Sequence, residues 1–156
     1  MDSPAYLEGI NTKEREESYA TITRGGNLYF VGQFFADSTS GYSIFHSKFD
    51  GEKAIGRKKI FEMEHPYEVG DPWVSPDHAF MILTRYNKNN WGSSCDLYLS
   101  KRTDLGWSKP VELKELNSTG PDFSPYVTND LRWIYYRKNY QMKRVAFKGI
   151  LMNYLN

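Results

Sequence analysis

Two carboxylates stand at matching places in this chain: Glu17 lies three residues before Ala20, and Asp122 lies three residues before Pro125. Ala20 and Pro125 correspond in an internal repeat of 52 to 53 residues, and the copy between them carries Glu68 and Asp71 nearby. Carboxylate oxygens without thiols suit Ca²⁺ better than a transition metal, and they suit the hydroxyls of a sugar equally well. The same residues also serve turns, where a carboxylate accepts backbone N–H bonds. A second group is aromatic: Tyr19, Trp73, Tyr126 and Trp91. Each offers a flat apolar face with one donor, fit for sugar stacking or a protein contact. Trp91 sits among Asn87, Asn89 and Asn90, which marks an exposed loop tip. The ligand-binding candidates are therefore Glu17, Asp71, Asp122, Trp91 and Tyr126.

Other chemistries have little to stand on. His46, His65 and His78 share no spacing and no serine partner, and the single cysteine, Cys95, excludes an intramolecular disulfide and a cysteine-based zinc site. There is no phosphate loop, dinucleotide fingerprint, HExxH or calcium-binding helix–loop–helix. A carboxylate pair for glycoside cleavage would leave no local motif if its members came from different segments. Net charge is +1, with 20 basic against 19 acidic residues, which argues against a phosphate-driven nucleic-acid surface. No apolar run approaches the length of a membrane span. The start, MDSPAYLEGI, lacks a basic segment followed by an apolar one, so no signal peptide is expected in this chain.

The elements that must position these residues read as short strands. In residues 71–117, a brief apolar run ends at a Pro76-Asp77 turn and is followed by the β-rich FMILTR. A polar loop over 87–94 leads to the alternating DLYLSK, then a tight turn at 103–106 and a strand opening at Trp107. Pro110 removes a ladder N–H, which places that last strand at an edge. The stretch recurs. DFSPYVTNDLRWIYY repeats VGDPWVSPDHAFMIL at a shift of 53 residues, and ESYATITRGGNLYFV matches at a shift of 52. Gly25-Gly26 replaces the Asp-His turn, and glycine supplies the positive φ that a tight hairpin needs. PAYLEGIN likewise matches PVELKELN, with Leu7 on Leu113 and Asn11 on Asn117.

These motifs resemble the TolB-like, WD-repeat-like β-propeller repeats of bacterial proteins, over residues 4 to about 147. The family pattern runs S-P-D-G, then D-I/L-Y, then W-S-x-P-x-x-L, then I-N. Here the glycine of S-P-D-G is replaced by His78 and Leu131 and kept as Gly26. The resemblance implies an all-β chain of about three propeller blades, each of four antiparallel strands, with first strands lining a central channel. It also implies a bacterial envelope protein, periplasmic or extracellular, that binds a protein or a glycan.

On this basis residues 1–156 form one domain: an outer strand over 1–11, blades over 17–60 and 69–116, and an incomplete blade over 122–156. The third strand of that last blade falls at 142–147 or 149–153, and residues 13–17 are a solvated crossover. Three blades are fewer than the four to eight of closed propellers. Two chains would close a six-bladed ring if the N-terminal strand of each completed the last blade of the other; alternatively the chain is part of a longer propeller. The expected function is a non-enzymatic binding or scaffold module for a protein or glycan, with no cofactor apart from a candidate Ca²⁺ at the channel carboxylates. The alternative is a propeller hydrolase or lyase acting on polysaccharide.

Overall fold

The computed structural model describes residues 6–34 and 41–155. The side chains of Phe34, Trp91 and Ser93 lie outside the described set. The chain is all-β, built from three antiparallel sheets in sequence order, closed by one helix. The first sheet has strands β1 (Arg15–Ile22), β2 (Asn27–Phe34), β3 (Ser43–Phe49) and β4 (Ala54–Phe61), in that order. The second has β5 (Tyr67–Val74), β6 (Phe80–Asn87) and β7 (Cys95–Thr103), with β8 (Gly106–Trp107) and β9 (Val111–Glu112) both paired to β7. The third has β10 (Asp122–Val127), β11 (Trp133–Lys138) and β12 (Gln141–Ala146), and α1 follows at Lys148–Leu155. Strands β1, β5 and β10 lie side by side, with β5 touching both neighbours.

The repeat is written into the backbone. Each first hairpin turns at a hydroxyl residue that accepts a backbone N–H across the turn. Thr23 Oγ1 takes Asn27 N at 3.1 Å, Ser75 Oγ takes Phe80 N at 3.1 Å, and Thr128 Oγ1 takes Trp133 N at 3.2 Å. One residue of each turn is left-handed: Gly26 at φ 72°, His78 at 65° and Leu131 at 58°. The turn geometry therefore survives the loss of glycine in two copies, at a strain cost of about 1–2 kcal/mol each.

Alternation along the second strands explains how the sheets stack. In β6, Met81 and Leu83 face the first sheet while Phe80 and Ile82 face the third, and all four are essentially inaccessible. A sheet buried on both faces needs such a continuous apolar run. The matching strands obey the same rule. Leu28 and Phe30 point toward the N-terminal segment, while Tyr29 and Val31 point to the second sheet. Ile134 and Tyr136 point back to the second sheet. Trp133 and Tyr135 take the remaining side of β11 and are only half-buried, with the Arg144 guanidinium 4.4 Å from the Trp133 ring.

Several expectations meet different outcomes. Residues 6–11, the described part of the expected outer strand, form a turn on their own first sheet. Ala54 N donates to Glu8 O at 2.9 Å, and Ile10 is buried beside Leu28 and Phe30. Gly9, at φ 82°, lets this turn press against the Ala54 carbonyl, which an added Cβ would meet at 1.9 Å. The match with 113–117 holds as a turn: Asn11 N donates to Leu7 O, as Asn117 N does to Leu113 O. Residues 15–17, expected in a crossover, open β1. Residues 149–153 are helical, because Ile150, Leu151, Tyr154 and Leu155 recur with helical spacing and pack on the core of the second and third sheets. The strand alternative over 142–147 matches β12.

Candidate functional site

Each of the three adjacent strands carries a β-bulge at the same place in the repeat. Pairing slips between Ser18 and Thr21, between Gly70 and Trp73, and between Phe123 and Tyr126. The left-handed residues there are Tyr19 at φ 51°, Asp71 at 48° and Ser124 at 54°. A bulge adds one residue to one strand and re-aims its side chain; none of these three is glycine, so each carries strain.

The three bulged residues share two cavities. One, of about 520 Å³, is lined by Tyr19, Ile22, Asp71, Trp73, Ser124 and Tyr126 among others. The second, of about 340 Å³, has Tyr42, Thr84, Tyr86 and Arg137 in its wall. Tyr19, Asp71 and Ser124 line both, so the bulges form the layer between them. Tyr19 and Tyr126 are 63% and 56% exposed, whereas Trp73 is buried at 8%. Two accessible aromatic faces thus flank one carboxylate.

Asp71 is the polar centre. Its Oδ2 accepts from Thr84 Oγ1 at 3.0 Å, Ser124 N at 3.0 Å and Ser124 Oγ at 3.4 Å, which ties the second sheet to the third. Burial nevertheless raises its pKa above the usual carboxylate value, and the three donors offset only part of that. Around the smaller cavity, burial and the Glu16 carboxylate push Tyr42 up to about 12, and its hydroxyl donates to Glu16 Oε2 at 3.0 Å. Burial likewise pushes the Cys95 thiol up to about 12, so it stays protonated and unreactive at neutral pH.

Of the residues singled out from sequence, Asp71 and Tyr126 meet in the larger cavity. Glu17 is committed elsewhere: its Oε1 accepts from Arg57 Nη2 of β4 at 2.7 Å and from Thr12 Oγ1 at 3.2 Å. Arg57 in turn sits 5.0 Å and 5.1 Å from the centroids of the Phe30 and Phe45 rings. Asp122 is fully buried and its Oδ2 takes Ser118 N and Ser118 Oγ at 2.5 and 2.7 Å, which fixes the crossover between the second and third sheets. The Trp91 side chain lies outside the described residues, although its backbone belongs to a short 3-10 helix over Lys88–Ser93. Among the described residues no group of three or more His, Cys, Asp or Glu is placed to share a metal ion.

Sequence reasoning missed Ser124 and the significance of the bulge. The available signal was positional: 19, 71 and 124 keep the repeat's spacing, but Tyr, Asp and Ser share no side-chain property that would mark it. Neither a scan against protein-family models nor a search of curated proteins gave a match.

Proposed function

We propose that the chain forms three consecutive blades of a β-propeller and acts as a non-enzymatic binding module for a glycan. The fold part of this reading is supported by three successive antiparallel sheets at a spacing of 52 to 53 residues, with their first strands adjacent. The observation that carries the function is the pair of exposed tyrosines, Tyr19 and Tyr126, lining one cavity with Asp71. Sugar C–H faces stack on such rings, while Asp71, Arg24 and Asn129 in the same wall offer polar partners for hydroxyls. Cleavage of a glycosidic bond calls for two carboxylates flanking it. Among the described residues lining the larger cavity, Asp71 is the one carboxylate, and its Oδ2 already serves three donors. Binding therefore fits better than hydrolysis.

The test is a glycan array followed by calorimetry on the strongest oligosaccharide, with Tyr19→Ala and Tyr126→Ala as variants. Each loss of a stacking face should weaken binding by about tenfold, taking an aromatic contact as about 1 kcal/mol or slightly more. An array without binders, or affinity indifferent to both substitutions, rejects the glycan reading.

The same architecture bears on assembly. Trp133 and Tyr135 occupy the side of β11 that corresponds to Tyr29 in β2 and to Phe80 and Ile82 in β6, all of which are covered by a following sheet. A second copy packing its own end sheet there would give six blades, within the range of closed propellers. Residues 6–11 sit on their own first sheet, so this closure rests on face packing and not on exchange of that segment.

A further inference from the structure

A second cleft lies apart from the bulges, where the first sheet meets the turn and the short outer strand of the second. Its volume is about 410 Å³, and its wall includes Tyr29, His46, Lys58, His78, Arg102 and Trp107. Folding brings two scattered histidines onto one tyrosine: the His46 and His78 rings lie 4.9 Å and 5.7 Å from the Tyr29 ring. His78 Nε2 shares a hydrogen bond with the Tyr29 hydroxyl, and His46 Nε2 bonds Asn27 Oδ1 at 3.1 Å. Each imidazole thus spends Nε2 on the protein, and Nδ1 has no hydrogen-bond partner among the described residues; since Asn27 Oδ1 can only accept, His46 carries its proton on Nε2.

The cations are unevenly spent. Lys59 is paired with Glu62 at 2.8 Å, and Lys48 donates to the Gly25 carbonyl. Lys58 and Arg102 have no salt-bridge partner among the described residues, and Arg102 rests 5.4 Å from the Trp107 ring centroid. The Trp107 indole N–H is buried and approaches the Tyr29 hydroxyl without meeting hydrogen-bond geometry. That pair braces the floor of the cleft beneath the histidines. The carboxylate in the wall, Asp104, is exposed on the tight turn beside Leu105. Cationic side chains therefore outnumber carboxylates in the wall, with Lys58, Lys59 and Arg102 against Asp104.

We propose that this cleft binds a small molecule bearing a phosphate group, with Arg102 and Lys58 supplying charge and the Nδ1 edges of His46 and His78 supplying directed contacts. Charge-assisted bonds from arginine and lysine to phosphate oxygens are among the strongest a surface cleft can offer. The volume leaves room for an organic portion against Trp107 and Leu105. In the unliganded protein, burial holds both histidines below their usual value, and Arg102 and Lys48 press them further down, with Asp77 opposing at His78 and Lys58 and His78 adding at His46. A bound dianion reverses that field, so both should titrate at higher pH when the site is filled.

The experiment follows the imidazole resonances by NMR through pH titrations in chloride, in inorganic phosphate and in glucose 6-phosphate at matched ionic strength. The expected result is a saturable upward shift for His46 and His78, with His65 unmoved. Arg102→Gln and Lys58→Gln, both at exposed positions, should each weaken binding by about tenfold while leaving the melting temperature unchanged. Equal affinity for phosphate and its ester places recognition on the anion; a tighter ester adds the organic portion, and both uphold the site. Resonances that respond no more to phosphate or its ester than to chloride overturn it. So does a shift that persists in the double variant.

Discussion

Asn117 imitates a strand with its side chain. Its Oδ1 accepts from Leu97 N at 2.8 Å and its Nδ2 donates to Leu97 O at 3.2 Å, prolonging the outer ladder of β7 beyond β9. Leu97 O has a second donor in Leu113 N at 2.9 Å, but Asn117 is the partner shown for the outward Leu97 N–H. Asn117→Ala therefore orphans one amide beside a fully buried residue and removes one redundant bond. An unsatisfied buried donor costs about 1–3 kcal/mol and a lost redundant bond about 0.5 kcal/mol, so a total near 2 kcal/mol is expected. For a chain of 156 residues this lowers the melting temperature by about 4–8 °C. Asn117→Asp separates the two bonds. An ionised carboxylate keeps the Leu97 N–H bond but turns its other oxygen toward the Leu97 carbonyl, whereas the protonated acid can donate there. The folded state then favours the protonated form, so the aspartate's folded pKa lies above its unfolded value of about 3.9. Its contribution is present below that value and is lost as pH rises through the folded pKa. Urea titrations of both variants and wild type at acid and neutral pH read this out. An alanine variant within about 0.5 kcal/mol of wild type, or an aspartate variant closer to wild type at neutral than at acid pH, refutes the strand-mimic argument.

Asp71 has a folded pKa raised chiefly by burial, so its stabilising contribution is full below the unfolded value and declines as pH rises through the folded one. Asp71→Asn retains an acceptor for Thr84 and Ser124 without the charge. It should gain stability over wild type as pH increases from the acid limit to neutrality, and chemical denaturation across that range would expose the opposite trend. Self-closure predicts a dimer by sedimentation equilibrium that Trp133→Glu converts to a folded monomer; a wild-type chain that stays monomeric at high concentration removes the proposal.

The turns were legible because their residues act locally. Pro76-Asp77 and the hydroxyls of Ser75 and Thr128 direct the hairpins whatever lies elsewhere in the chain. The strand run FMIL was legible because a sheet covered on both sides requires it. Glu17 was not legible, since its partner Arg57 is 40 residues away and recurs at no repeat spacing. The His46–Tyr29–His78 cluster was hidden for the same reason, with Tyr29 and His78 separated by 49 residues. The bulges are silent in the sequence because glycine is the usual signal of a positive φ, while the chain places Tyr19, Asp71 and Ser124 there. Helix α1 was lost to its length: eight residues carry too short a period to separate a helix from a strand.

The middle sheet has a consequence for how such a chain grows. It presents Met81 and Leu83 to its predecessor and Phe80 and Ile82 to its successor, so a single strand carries half of two interfaces. Duplicating one unit of about 52 residues would copy both halves together, and the new unit would meet neighbours already shaped to receive it. A polar side chain placed at Met81 or Leu83 would damage the seam with the first sheet, and one at Phe80 or Ile82 the seam with the third, so every position of this run is committed to one interface or the other.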